Sequence, residues 1–408
     1  METIERVYRE EFGRVVASLA RRFGDIDVAE DAAGEALVVA LEKWPVDGVP
    51  PNPGAWLTTT ATRKAIDRIR RESHRDAKHQ AAFMVTDDTP HEPTGPVEDD
   101  RLRMVFTCCH PALAPEARVA LTLRLLGGLT VAEIAQAFFV PETTMAQRIT
   151  RAKKKIATAR IPYRVPSLAD LPERVVGVLA VVYLIFNEGY LSSAPSDRGT
   201  SVRDDLTAEA IRLGRILHSL LPDEPEVTGL LALMLLTEAR RPARLAADGS
   251  LVPLPEQDRG AWSRGLVSEG HALVHECLAG NRPGRYQLMA AVNAVHTDAP
   301  TAADTDWAQI AALYGRLVAL DPNPVVALNR AIAVAELDGP EVGLALVDRL
   351  HGSLAGYHPF HATRADLLRR LGRSGESRAA YDAALALIDN PAETAYLTRR
   401  RDQLGPAS

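Results

Sequence analysis

Apolar side chains recur along most of this chain every three to four residues, the period of an amphipathic helix. The series Val7, Phe12, Val15, Val16, Leu19, followed by Ala33, Ala36, Leu37, Ala40, Leu41 and Trp44, predicts helices over residues 1–45. Four prolines in WPVDGVPPNP (44–53) interrupt the pattern. Asn52 ahead of Pro53 predicts a capped restart. That helix should run to about residue 75, with Leu57, Ala61, Ala65 and Ile69 as its buried stripe. Segment 85–100 has three prolines, six acidic residues and no basic one, and reads as a linker. Helical periodicity returns over 101–160. It continues beyond about residue 170 in an alanine- and leucine-rich stretch broken near 222, 242, 283, 300, 322 and 340. No alternating strand pattern appears, so the predicted fold is all-α.

Within that last stretch, YGRLVALDPNP (314–324) and YDAALALIDNP (381–391) are alike and lie 67 residues apart. The spacing is close to twice the 34-residue period of tetratricopeptide-type repeats, and it predicts a helical-repeat array.

Length and charge sharpen this picture. A chain of 408 residues leaves room for two to three domains of about 150 residues. The formal net charge of -6 is unevenly spread: residues 1–164 hold 24 basic and 23 acidic side chains, leaving an excess of seven acids beyond. Within 101–164 there are 11 basic residues and 3 acidic ones. A basic segment in an acidic protein points to a localised polyanion site. Three cysteines cannot build a disulfide framework, which suits a reducing compartment. The N-terminus lacks the apolar core of a signal peptide. The longest apolar run, VVGVLAVVYLIF (175–186), is too short to span a bilayer. The expected location is cytoplasmic, with no membrane partner.

The sharpest local signal is GLTVAEIAQAFFVPETTMAQRITRAKKKI (128–156). Thr130 and Glu133 form a capping box before a short helix with Ile134, Ala135 and Phe138 on its apolar face. After a tight break at FVP, a second helix from about Glu142 should bury Met145, Ile149, Ala152 and Ile156. Two short helices joined this way make a helix-turn-helix, whose second helix fits the DNA major groove. Its outward positions offer Thr143, Thr144, Gln147, Arg148, Thr150 and Arg151 for base edges and phosphates, with Lys153, Lys154, Lys155, Arg160 and Arg164 extending the cationic end. The competing reading is a solvated basic helix in an ordinary hairpin. A second basic stretch, 52–78, holds seven basic and three acidic residues. Arg63, Arg70 and Arg71 are placed there for phosphates. Trp44 and Trp56 flank the proline loop, where an aromatic ring can stack an unpaired base or simply join the core.

Upstream, Asp27, Asp31 and Glu35 fall at i, i+4 and i+8 on one helix face, with Glu30 beside them. Like charges at this spacing repel. Either a basic partner covers them or the face is merely solvated.

In this order, an acidic DVAEDAAGEAL helix ending in tryptophan, NPGAWLTTTATRKAIDRIRR, an acidic linker and a basic helix-turn-helix ending in TRAKKKI resemble an RNA polymerase sigma factor. The chain is similar to the extracytoplasmic-function class of the sigma-70 family, which keeps the second and fourth conserved regions. The resemblance covers residues 1–160, and 170–408 resembles the long helical extension of one subgroup, as does FTCCHPALAPEARVALTLRLLGGLT (106–130). It implies a second-region domain over 1–78, a linker over 79–100, a fourth-region domain over 101–164 and a tetratricopeptide-like extension over 165–408. It implies that Asp27, Glu30, Asp31 and Glu35 dock on core RNA polymerase. It gives the −10 element to Trp44, Trp56, Arg63, Arg70 and Arg71, and the −35 element to Thr143, Thr144, Gln147, Arg148, Thr150, Arg151 and Lys154. Phe139, where the turn usually has glycine, and Ala146, where many relatives have a basic residue, depart from the pattern.

The expected partners are core polymerase, promoter DNA and a protein or peptide bound by the C-terminal array. The acidic array is also expected to pack near Arg148–Arg164. The chain is expected not to be an enzyme and to carry no cofactor or metal. Cys108, Cys109 and His110 are adjacent rather than metal-spaced, and His271 and His275 have no apparent third ligand. NEGY (187–190) reads as a helix exit with Gly189 as its cap. The alternative function is a stand-alone helix-turn-helix regulator with a helical sensor domain.

Overall fold

The computed structural model describes residues 2–75, 100–138, 140–167, 169–191, 202–246, 251–388 and 390–404. Among the described residues there are helices and no strands, apart from one isolated bridge between Leu245 and Leu251. The all-α expectation holds. Phe139 and nearly all of the 79–100 linker lie outside the described residues. The chain divides into two compact units, Met1–Ile185 and Phe186–Ser408.

The first unit opens with α1 (Glu2–Phe23), α2 (Ile26–Asp47) and α3 (Pro53–Arg75), all mutually packed. Asp25 caps α2 through the Asp27 and Val28 amides. Asn52 accepts from the Ala55 amide at 3.0 Å and starts α3 with Pro53 in its first turn. The proline-rich segment breaks the chain later than its first proline suggests, since α2 runs through Pro45 to Asp47. Leu57, Ala61 and Ala65 are buried as expected, but Ile69 is 37% exposed because the bundle ends before that turn.

Next come α4 (Asp100–Cys108), α5 (Pro115–Leu125), α6 (Val131–Ala137) and α7 (Glu142–Thr158). Thr130 and Glu133 form the full capping box, and α7 buries Met145, Ile149, Ala152 and Ile156. Cys108 and Cys109 are buried free thiols at the end of α4, and burial pushes both up in pKa, Cys109 to about 11. Helix α8 (Leu171–Leu191) does not stop at Gly189 as its sequence suggests.

The second unit continues through α9 (Val202–Leu220), α10 (Pro225–Glu238), α11 (Arg264–Gly280) and α12 (Arg285–Asp298). Helix α10 is buried on every side from Val227 to Leu236, because α9, α11 and α12 surround it. Then follow α13 (Trp307–Leu320), α14 (Pro324–Asp338), α15 (Pro340–Asp348), α16 (His351–Leu354), α17 (His358–Arg370), α18 (Ser374–Leu385) and α19 (Pro391–Asp402). Apart from the single turn α16, each packs on the next; α14 to α19 do so around Phe360, Leu368, Tyr381 and Val347, while α13 seats Ile310 and Leu317 in separate clusters. The two matching NP motifs do the same work: Asn323 and Asn390 cap α14 and α19, with proline at the first helical position. Helices starting at Trp307, Pro340 and Ser374, and their partners at Pro324, His358 and Pro391, advance in steps of 33 or 34 residues.

Candidate functional site

Helix α7 presents two chemically different faces. On the outer one, Thr143, Gln147, Thr150, Arg151 and Lys154 are exposed, and Thr144 and Arg148 are half-buried. The Arg151 Nε donates to the Gln147 carbonyl at 3.2 Å, which lays that guanidinium along its own helix. Arg63, Arg70 and Arg71 are likewise exposed on α3. The two tryptophans at the proline loop meet edge to face, 5.3 Å between centroids. Trp44 is 4% exposed, so in this conformation it is a core residue and the half-buried Trp56 is the ring nearer solvent.

The other face of α7 carries Lys153, which turns inward. Its ammonium reaches Asp27 at 2.7 Å and pairs with Glu30. Arg124, in the last turn of α5, holds the other Glu30 oxygen through its Nε at 2.5 Å. Burial works to lower the Lys153 pKa, but the Glu30 and Asp27 carboxylates outweigh it and hold the ammonium above its usual value. Glu30 is only 7% exposed. Of the two readings of the acidic stripe, a merely solvated face fails at this end, where basic side chains of the same chain cover Glu30. Asp31 and Glu35 pair instead with Arg68 and Lys64 of α3, the latter at 3.5 Å, and these pairs stay substantially exposed.

These ion pairs lie within a wider closure of α4–α7 on α1–α3. A Cβ on Gly13 would stand 2.7 Å from the Leu126 carbonyl oxygen, so α1 and the end of α5 meet at a distance that a side chain would prevent. Gly128, at φ 70°, turns the chain toward α6 beside the Phe12 ring. The Tyr163 hydroxyl lies 2.8 Å from the Ala17 carbonyl and 3.0 Å from that of Asp100, and Arg21 pairs with Asp100 at 3.1 Å.

Comparison with known proteins names the two halves of this closed unit. Residues 7–75 match the model of sigma-70 region 2, and residues 103–156 match that of sigma-70 region 4. The ECF RNA polymerase sigma factor SigK of Mycobacterium ulcerans (strain Agy99) is 31% identical over 146 residues, 34% of this chain and 75% of the relative. The chain belongs to the sigma-70 family. An uncharacterized protein of Rhizobium meliloti (strain 1021) is 43% identical over 397 residues, 96% of this chain and 93% of that protein. Residues 174–278 match a family of unknown function, DUF6596. No solved structure matches. In family terms, α1–α3 carry region 2 and α4–α7 carry region 4. Lys153 and Arg124 are the residues that sequence reasoning missed as partners of the acidic helix.

No metal-holding group of histidine, cysteine or carboxylate residues occurs among the described residues, and no described helix is long and apolar enough to cross a membrane.

Proposed function

We propose that this chain is an extracytoplasmic-function sigma factor that acts in the cytoplasm without catalytic chemistry of its own. It directs core RNA polymerase to promoters and is held closed when free. The class assignment is supported by matches to regions 2 and 4 and by the SigK relative. The single observation that carries the closed reading is Lys153 and Arg124 of region 4 on Asp27 and Glu30 of region 2.

In this reading the α2 stripe of Asp27, Glu30, Asp31 and Glu35 docks on polymerase. The loop between α2 and α3 takes an unstacked −10 base, at a cost of a few kcal/mol repaid by its pocket. Trp56 stands at that loop, Trp44 supports it from the core, and Arg63, Arg70 and Arg71 serve the −10 phosphates. Thr143, Thr144, Gln147, Arg148, Thr150 and Arg151 read the −35 element, with Lys154 on the backbone. The two elements lie apart on a promoter, so regions 2 and 4 have to separate. Opening exchanges Lys153 and Arg124 for the polymerase surface.

The second unit is proposed as a tetratricopeptide-like array that regulates this step through a protein or peptide partner. The 33- or 34-residue helix spacing supports that reading. Transcription with core polymerase and a promoter library tests the assignment. Dependence of initiation on this chain, with Arg151→Ala weakening −35 discrimination by about 1–3 kcal/mol, is the expected result. Promoter binding without any association with core polymerase would instead favour a stand-alone regulator.

A further inference from the structure

The second unit contains a cavity of about 460 Å³ over α13 and α14, closed on one side by the turns at Leu254–Glu256 and Arg259–Ala261. That volume lies within the range of small-molecule sites. Its wall is divided. Pro255, Trp307, Ile310 and Ile332 make it apolar, while Arg259, His296 and Asn329 bring polar groups to it.

The cationic side is built, not incidental. Arg259 donates to the His296 and Ala299 carbonyls at the end of α12, and its guanidinium stacks over Trp262 at 4.6 Å. Among the described residues it has no carboxylate within ion-pair distance. Arg240 stands behind it, donating to Asn293 at 2.6 Å, with its Nε sealed from solvent and without an acceptor. Burial, then Arg240 and Arg259, push the His296 imidazole down to about 4, so the ring is neutral and can donate or accept. Asp304 offsets the Arg259 charge from beyond ion-pair distance, without a direct contact. Positive charge with no carboxylate seated on it, beside an aromatic wall, is the arrangement that an anion with an apolar body relieves. Glu336, which also lines the cavity and is paired with Arg370, sets a limit on the ligand's charge. It repels a dianion more than a monoanion.

The geometry points to a binding site for a small, singly charged organic acid: Arg259 takes the carboxylate, Asn329 and His296 hydrogen-bond it, and Trp307 with Ile332 covers its apolar part. Nothing in this assignment depends on how the first unit engages polymerase or DNA.

Calorimetry on the full chain tests it with three probes: benzoate, the neutral isostere benzamide, and inorganic phosphate. Benzoate should bind one to one, at least about tenfold more tightly than either of the others. Arg259→Gln should weaken it by about tenfold or more. That variant also removes bonds that hold the end of α12, so Ala303→Trp, at an exposed position on the cavity lip, provides a second test by filling the mouth. Equal binding of benzamide would remove the anion subsite, and tighter binding of phosphate would overturn the single-charge assignment. No binding of benzoate, or undiminished binding by Ala303→Trp, would overturn the site.

Discussion

The two ends of the acidic stripe on α2 have the same residue types and opposite environments. At one end Asp31 and Glu35 face Arg68 and Lys64 of the neighbouring helix in pairs that remain wet. At the other end Asp27 and Glu30 are gripped by Lys153 and Arg124 from region 4, and Glu30 is out of water. Exposed pairs contribute about 0–1 kcal/mol and are easily exchanged for another partner. A buried group of charges is different. Its desolvation cost roughly cancels its attraction, so it adds little net stability, yet removing one member leaves a charge stranded. The lesson is that the open end can change partners as it stands, which suits the proposed docking. The clamped end instead fixes where region 4 rests and releases its carboxylates only when region 4 leaves.

The largest test of this contrast is Glu30→Ala, which takes the carboxylate from the half-buried Arg124 and leaves Lys153 with Asp27 alone. It should destabilise the first unit by about 3–5 kcal/mol in chemical unfolding. A loss below 1 kcal/mol would mean that the grip is not built as described. Asp31→Arg with Glu35→Arg probes the other end. Polymerase affinity should fall by several kcal/mol, as like charges meet across the interface. Thermal stability should shift little, because the wet pairs hold little. Normal capture of core polymerase by this variant would remove the docking role. A smaller effect is expected from Gly13→Ala, whose Cβ runs into the Leu126 carbonyl. Forcing α1 and α5 apart should cost about 1–3 kcal/mol and raise protease sensitivity between regions 2 and 4.

The smallest effect is one of alkali. Lys153 has its pKa raised in the folded state, so its contribution is complete below the unfolded value of 10.5 and is lost as pH rises through the folded one. Tyr163 behaves alike: burial holds its phenol above the usual 10, so its contribution also fades at higher pH. The closed unit should therefore loosen above about pH 10, in a step that Lys153→Met with Tyr163→Phe makes shallower. Unchanged alkaline unfolding in that double variant would contradict the assignment.

What could be read from the sequence was local. The Thr130–Glu133 box and the Asn52 cap need contacts within one turn, and the buried register of α7 repeats every three to four residues, so spacing alone specifies them. The 33- or 34-residue advance was foreshadowed by two NP-terminated segments, because the same cap recurs at the same place. The grip on Glu30 was not legible, because its partners Arg124 and Lys153 come from distant parts of the chain and nothing local pairs them. A trace did exist: Lys153 is four residues after Ile149 and three before Ile156, so it flanks the buried stripe, unlike Lys154. Glu30 similarly adjoins Ala29 and precedes Ala33 by one turn. Ile69 and Trp44 mark the reverse problem. Periodicity alone cannot say where a bundle ends, and an aromatic beside a loop looks the same whether it is core or contact.

The account rests on regions 2 and 4 being closed in the free chain and separated on polymerase. Spin labels at Lys43→Cys and Thr150→Cys, exposed positions on α2 and α7, report that separation directly by pulsed electron resonance, since the native cysteines are buried. The free full-length chain should give one short, narrow distance, and saturating core polymerase should move it to a longer one. The same short distance in the polymerase complex would contradict the account.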